Sequence, residues 1–223
     1  MTQDRRVSAL LRLLAWMSPA FPVGAFSYSG GLERVVEDRR VRNAADLQSW
    51  IEIGLTCGTL WNDAVLLAHA WHSHEDAMAL EEVSALARAL AGSAERYRET
   101  LLLGDAFVEA AKAWDHTVFE RLAPSSAYPV AIGAIAAAHG IGLEDAAAAY
   151  LHSGISQSVS AGIRLGVAGQ RDGVAILARL EDRVAATAKR AACSTLDDLG
   201  SATIIADTLT MRHETQTTRL FRS

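Results

Sequence analysis

Residues 143–191 read LEDAAAAYLHSGISQSVSAGIRLGVAGQRDGVAILARLEDRVAATAKRA, and their spacing decides the fold. Two helical patterns, 143–165 and 170–191, are joined by a short glycine-marked connection. In the second pattern Val174, Leu177, Leu180 (or Glu181), Val184 and Ala188 trace one mostly apolar stripe at helical spacing. In the first, Gly154, Ser158, Gly162 and Gly166 recur every four residues and leave a strip with almost no side chain. Glycine costs a helix interior about 1 kcal/mol relative to alanine. Close approach of another helix along the i, i+4 ridge is a compensating gain. That helix belongs either to the same chain or to a second subunit.

The same texture extends outward. A first helix is expected over about 8–17, ended by Ser18-Pro19, because proline disfavours helical geometry in the residue before it. Asn43 is a good N-cap for a long apolar helix through Trp50, Ile53, Cys57 and Leu60, with Asn62-Asp63 restarting it to about Trp71. Ser73 and Asp76 have capping-box spacing and open a helix that stops at Ala91-Gly92. Further patterns cover about 93–113, 127–139 and 201–211. β-branched alternation is scarce and no internal repeat or long linker appears. The expected architecture is all-α, one domain over 1–223 with roughly eight to ten helices.

Composition excludes more than it proposes. The formal net charge of −5 argues against a nucleic-acid footprint. The longest apolar stretch, Tyr128 to Ala138, is too short for a membrane span of roughly 20 residues. Val7 to Met17 has a basic start but no small-residue cleavage site before Pro19, so a cytoplasmic protein is expected. Cys57 and Cys193 belong to no metal or redox spacing. The two lysines, Lys112 and Lys189, each follow alanine, which excludes a phosphate-binding loop. Phe26-Ser27-Tyr28-Ser29-Gly30 lacks the first glycine of a nucleophile elbow. No catalytic residue, cofactor site or metal site is expected. His69, His72 and His74 lie close together beside Glu75 and Asp76, but a cap at Ser73 would splay them into a solvated helix end.

Both ends stand out. Residues 211–223, MRHETQTTRLFRS, hold three arginines and, after Met211, only Leu220 and Phe221 as bulky apolar groups. Fixing a backbone costs about 1–2 kcal/mol per residue, and each buried apolar side chain returns only about 1.5–3 kcal/mol. Such a tail becomes ordered against something else, either the body of the protein or a partner. Near the other end, residues 18–33, SPAFPVGAFSYSGGLE, carry too many prolines and glycines for a regular helix and too many aromatics for a simply solvated loop. This segment reads either as a loop anchored over the core or as a rigid surface patch.

The two ends together resemble the UreF family of urease accessory proteins. Ser18 to Glu33 matches a family segment close to Ser-Pro-x-x-Pro-Val-Gly-x-Phe-Ser-Tyr-Ser-x-Gly-Leu-Glu, and Met211 to Ser223 matches its closing motif. Glu99-Thr100 with Gly104, Ala106 and Phe107, and Ser160 to Leu165 followed by Gly169-Gln170, are similar to family patterns between them. Thr217 and Thr218 depart from the family's usual Tyr-Ser, and Gly166-Val167-Ala168 stands where a Val-Pro or Leu-Pro pair is common. The resemblance implies an all-α homodimer acting in nickel delivery to the urease apoprotein without catalysing a reaction. It implies two partners, the accessory protein UreD/UreH and the GTPase UreG, with no nucleic acid and no membrane involved. Carried over, Arg212, His213, Glu214, Gln216, Arg219, Phe221 and Arg222 are expected to contact UreD/UreH, and Arg164 and Gln170 to face the GTPase. Pro22, Gly24, Phe26, Ser27, Tyr28, Gly31 and Glu33 are expected to serve packing or recruitment. The alternatives are a direct modulator of the GTPase cycle, with Arg164 acting in trans on the phosphates, and a nickel carrier using the three clustered histidines.

Overall fold

The computed structural model describes residues 3–200 and 204–223. Its ten α-helices, among the described residues, are α1 (Gln3–Trp16), α2 (Leu32–Glu37), α3 (Ala44–Cys57), α4 (Thr59–His72), α5 (Ala77–Ala89), α6 (Ala94–Ala111), α7 (Tyr128–Ala138), α8 (Leu143–Arg164), α9 (Gln170–Ala192) and α10 (Ile204–His213). Short 3-10 turns lie at Ala25–Ser27, Thr117–Glu120 and Leu196–Asp198. The all-α expectation and the helix number both hold. The expected helix over 201–211 begins in residues outside the described ones and continues as α10.

α7 is the axis of the fold. Every residue from Pro129 to Ala136 is buried, so this helix is apolar all round and must be enclosed by others. α4 packs along it most extensively, and α5, α6 and α8 cover other sides. Two glycines make this possible. A Cβ on Gly133 would collide with the Leu67 carbonyl of α4, and one on Gly104 of α6 would collide with the Ser126 carbonyl before α7. Trp16 of α1 closes one end, edge-on to Phe107 and Trp114.

The caps refine the sequence reading. Asn43 does cap α3, accepting from the Ala45 and Asp46 N–H groups. The helix expected to continue through Leu60 instead breaks at Gly58, whose extended backbone separates α3 from α4, and the restart falls at Thr59 rather than Asn62. A glycine pays the largest entropy for staying helical, so the break falls there. Ser73 is not an N-cap: it ends α4, and Asp76 caps α5 through the N–H groups of Met78 and Ala79.

The stripe on α9 holds from Leu177 onward and departs from the expectation at its first residue. Gly173, Ile176, Leu180, Val184, Ala188 and Ala191 are buried, whereas Val174 is 68% exposed. The small-residue strip of α8 packs within the chain. A Cβ on Gly154 would come 2.7 Å from Leu60, and one on Gly162 would strike Leu47. Gly166 is not part of that strip: at φ 76° it takes the left-handed conformation that ends α8, with Val167 N–H donating to the Gly162 carbonyl at 3.0 Å.

Candidate functional site

The two ends that stood out in the sequence fold onto each other. The link is a set of carboxylates on α2 and α6. Glu33 lies in the first turn of α2, entered through Gly30 and Gly31 at φ 60° and 81°, and it is buried. Its Oε1 accepts the Leu220 N–H at 2.7 Å and its Oε2 accepts the Phe221 N–H at 3.0 Å. His213 is wholly buried between two carboxylates, with Nδ1 at 2.7 Å from Glu95 and Nε2 at 3.2 Å from Glu33. Arg219 reaches the other oxygen of Glu95 at 2.6 Å and also donates to the Gln216 and Glu214 carbonyls.

The last three residues complete the seam. Arg222 N–H donates to the Ser27 carbonyl at 2.8 Å, and Ser29 N–H donates to the Ser223 carbonyl at 2.9 Å. The Ser29 hydroxyl reaches the same carbonyl. Phe221 is buried beneath the Arg164 guanidinium, which sits 4.0 Å from its ring centroid while donating to the Phe26 carbonyl at 2.6 Å. Gln157 of α8 holds the same loop through the Ala25 and Tyr28 carbonyls.

Behind the seam lies a second charged layer. The Ser223 hydroxyl donates to Glu99 at 2.8 Å, and Glu99 pairs with Arg96 at 3.2 Å. Arg96 also meets Asp63 at 2.6 Å, and Asp63 accepts the Tyr150 hydroxyl at 2.7 Å. Burial pushes the Glu99 carboxyl up, partly offset by Arg96 and Ser223. Burial opposes the Arg96 charge, but Asp63 and Glu99 outweigh it and hold the guanidinium firmly protonated. Burial and the Asp63 charge push the Tyr150 phenol well up. Arg96, Glu99, Asp63 and Tyr150 line a cavity of about 270 Å³ that also touches Trp50, Leu60 and Gly154.

Site residues named from the sequence fall into two sets. His213 and Phe221 are buried under the tail, while Arg212, Arg219 and Arg222 are exposed and Glu214 and Gln216 half-buried. Thr217 and Thr218, where the chain leaves the family pattern, are exposed. Tyr28 and Glu33 are buried, whereas Phe26 is 71% exposed beside the tail. Arg164 and Gln170 are exposed at the end of α8 and the start of α9. His69, His72 and His74 do not assemble: among the described residues no group of three or more His, Cys, Asp or Glu is placed to hold a metal ion. His72 packs edge-on against Trp71, and His74 Nδ1 lies 2.9 Å from the Trp71 carbonyl.

Glu95, Asp63, Arg96 and Tyr150 were not picked out in the sequence. A signal for two of the carboxylates was present. On α6, Glu95, Glu99, Leu103, Phe107 and Ala111 are buried at successive steps of four, so the core-facing stripe turns acidic in its first two turns. A core stripe that begins with two carboxylates requires cations from elsewhere.

These features define an all-α protein whose marked ends form one built surface over a buried charge network. Residues 41–181 match the family model described as UreF. The chain is 67% identical to the urease accessory protein UreF of Agrobacterium fabrum (strain C58 / ATCC 33970) over 223 residues, 100% of both chains. It is 61% identical to that of Rhizobium etli (strain ATCC 51251 / DSM 11541 / JCM 21823 / NBRC 15573 / CFN 42), again over 100% of both. The corresponding protein of Rhizobium meliloti (strain 1021) is 54% identical at the same coverage. The chain belongs to the UreF family of urease accessory proteins. That membership gives it a role in urease maturation. No helix among the described residues is long and apolar enough to cross a membrane.

Proposed function

We propose that the chain is a non-enzymatic maturation chaperone of the cytoplasm that bridges UreD/UreH and the GTPase UreG, assembling the complex that delivers nickel to apo-urease. The observation that carries this reading is the two-sided tail. Its inner side chains, His213 and Phe221, are consumed by the body, while Arg212, Arg222 and a 56% exposed Leu220 face outward beside the 71% exposed Phe26. A rigid patch of arginines around apolar anchors suits a protein partner, since arginine and aromatic residues dominate interface energetics. UreD/UreH is the partner proposed for this face. Arg164 and Gln170 are the proposed contacts to UreG, and because Arg164 also holds Phe221, the two contacts would be mechanically joined.

The homodimer belongs to the same proposal. α1 buries Ala9, Leu13 and Trp16 but leaves Val7, Leu10, Leu11 and Leu14 each more than half exposed, a second apolar face on one helix. A second copy of the chain would cover it.

Deleting the whole tail is a poor test, because it also strips His213 and Arg219 from Glu33 and Glu95. The double substitution Arg212→Glu, Arg222→Glu changes only exposed side chains. Pull-down of UreD/UreH should fall at least tenfold with the thermal transition unchanged. Undiminished capture would reject the tail as the docking element.

A further inference from the structure

We infer that the cavity between α3, α4, α6 and α8 binds a small organic ammonium, its cationic head on Asp63 and its apolar body toward the rim. At about 270 Å³ the cavity lies just under the roughly 300 Å³ at which ligand sites begin, so its occupant must be small. Polar and apolar lining groups are segregated. Asp63, Glu99 and Thr100 are buried at the inner end, while Ile53 and Leu90 at the rim are 47% and 39% exposed, with Trp50 and Leu60 half-buried.

One acceptor at the inner end is unspent. Both bonds to Asp63, from Arg96 and from the Tyr150 hydroxyl, land on Oδ2. Oδ1 accepts nothing among the described residues, yet it is open to a molecule the size of water although the side chain is only 9% exposed. Tyr128 also lines the cavity, its ring centroid 5.7 Å from that of Tyr150, and its hydroxyl has no partner among the described residues. A carboxylate oxygen so far removed from solvent is costly to leave without a donor. Water supplies one only where it finds two to four polar partners, and toward the rim the walls are hydrocarbon. A molecule with a donor at one end and an apolar body fits both parts. Charge selects the head. Arg96 is the one cation among the described residues lining the cavity, and it is already shared between Asp63 at 2.6 Å and Glu99 at 3.2 Å. Glu99 is held from its other side by the Ser223 hydroxyl. An anionic ligand finds no unshared cation here, whereas an ammonium meets a free carboxylate oxygen in a charge-assisted hydrogen bond.

The test uses the isolated full chain, so its outcome is independent of whether UreD/UreH binds the tail. Benzylamine, benzoate and benzyl alcohol are the probes, which share a body and differ in the head. Saturation-transfer NMR at neutral pH measures affinity, and backbone amide shifts locate the site. Benzylammonium should bind with a Kd on the order of 1 mM, shifting the amides of Asp63 and Thr100, and benzoate should bind at least tenfold more weakly. Asp63→Asn should weaken benzylammonium at least tenfold and leave benzyl alcohol within about twofold. Because that change also takes a partner from Arg96 and Tyr150, Gly54→Leu is the second variant. Gly54 lines the cavity, and a Cβ there meets only Leu60, at 3.8 Å, so a larger side chain enters beside an apolar neighbour rather than a charged one. It should abolish benzylammonium binding without lowering the thermal transition. Benzoate binding as tightly as benzylammonium overturns the inference. So does undiminished binding in Gly54→Leu, or no saturable binding of benzylammonium at ten times the expected Kd.

Discussion

Replacing Glu33 with alanine should release the tail while leaving the helical body folded. The carboxylate accepts two backbone N–H groups, at 2.7 and 3.0 Å, and faces His213 at 3.2 Å. Hydrogen bonds to a charged group contribute about 1.5–3 kcal/mol each, so losing three costs roughly 5–9 kcal/mol if the tail stays in place. It has no reason to stay, since undocking hands the two orphaned amides back to water. The global loss is then capped at the docking free energy of the tail, and the change becomes a local one. Hydrogen exchange separates the two outcomes. In Glu33→Ala the Leu220 and Phe221 amides should exchange at rates of an unstructured chain, and trypsin should cleave after Arg219. The amides of α7, whose residues 129–136 are all buried, should keep their protection. Glu37→Ala serves as the control: that side chain is 53% exposed in an i, i+3 pair with Arg34, worth at most about 0.5 kcal/mol. If Leu220 and Phe221 remain protected in Glu33→Ala, the carboxylate is not what holds the tail.

Two further outcomes concern the body. Gly133→Ala should lower stability by at least about 2 kcal/mol more than Gly162→Ala, because the first Cβ meets the rigid backbone of Leu67 and the second meets the side chain of Leu47, which can turn aside; urea midpoints at unchanged slope measure the difference, and equal midpoints reject the close-approach argument. Burial, helped by the neighbouring Arg12 and His116, holds the His139 imidazole down to about 4 from an ordinary 6.5. A base depressed on folding is neutral when folded and protonated when unfolded at acid pH, so its contribution is present above about 6.5 and is lost as the pH falls toward 4. Urea midpoints between pH 7 and 4 should fall less steeply for His139→Gln than for the parent chain; equal slopes would refute the assignment.

Helix content was legible because it follows from local spacing. Asn43 announces its own cap, and the core-facing phase of α8 shows in Gly154 and Gly162. What failed were positions where the answer depends on a distant partner. Val174 looks apolar enough for the α9 stripe, but the face pressed on α8 is set by Gly173, whose missing side chain gives room to Val159 and Ile163. Gly104 and Gly133, the two closest approaches to α7, carry no periodic signature because each serves a single crossing. The tail's composition calls for a surface to order against, and of the two candidates, body or partner, the folded chain supplies the body. Its receptor on the body escaped notice because Glu33, Glu95 and Glu99 come from two separate helices, and only the folded chain shows that 180 residues separate Glu33 from His213 across one hydrogen bond.

That receptor changes how any substitution in the tail is interpreted. The seven residues proposed to contact UreD/UreH do not form one functional class. Phe221 and His213 are buried, so changing either acts first on docking to the body and only through that on a partner. Arg212 and Arg222 are exposed, so they report on a partner directly. Arg219 belongs to both classes, because its guanidinium is bonded to Glu95 while the residue stays exposed. A loss of partner binding in Phe221→Ala therefore says that the tail must be ordered to bind. The same loss in Arg222→Glu says what the ordered tail presents. Loss in both would mean that the tail has to be bound to its own body before it can present a surface to the proposed partner.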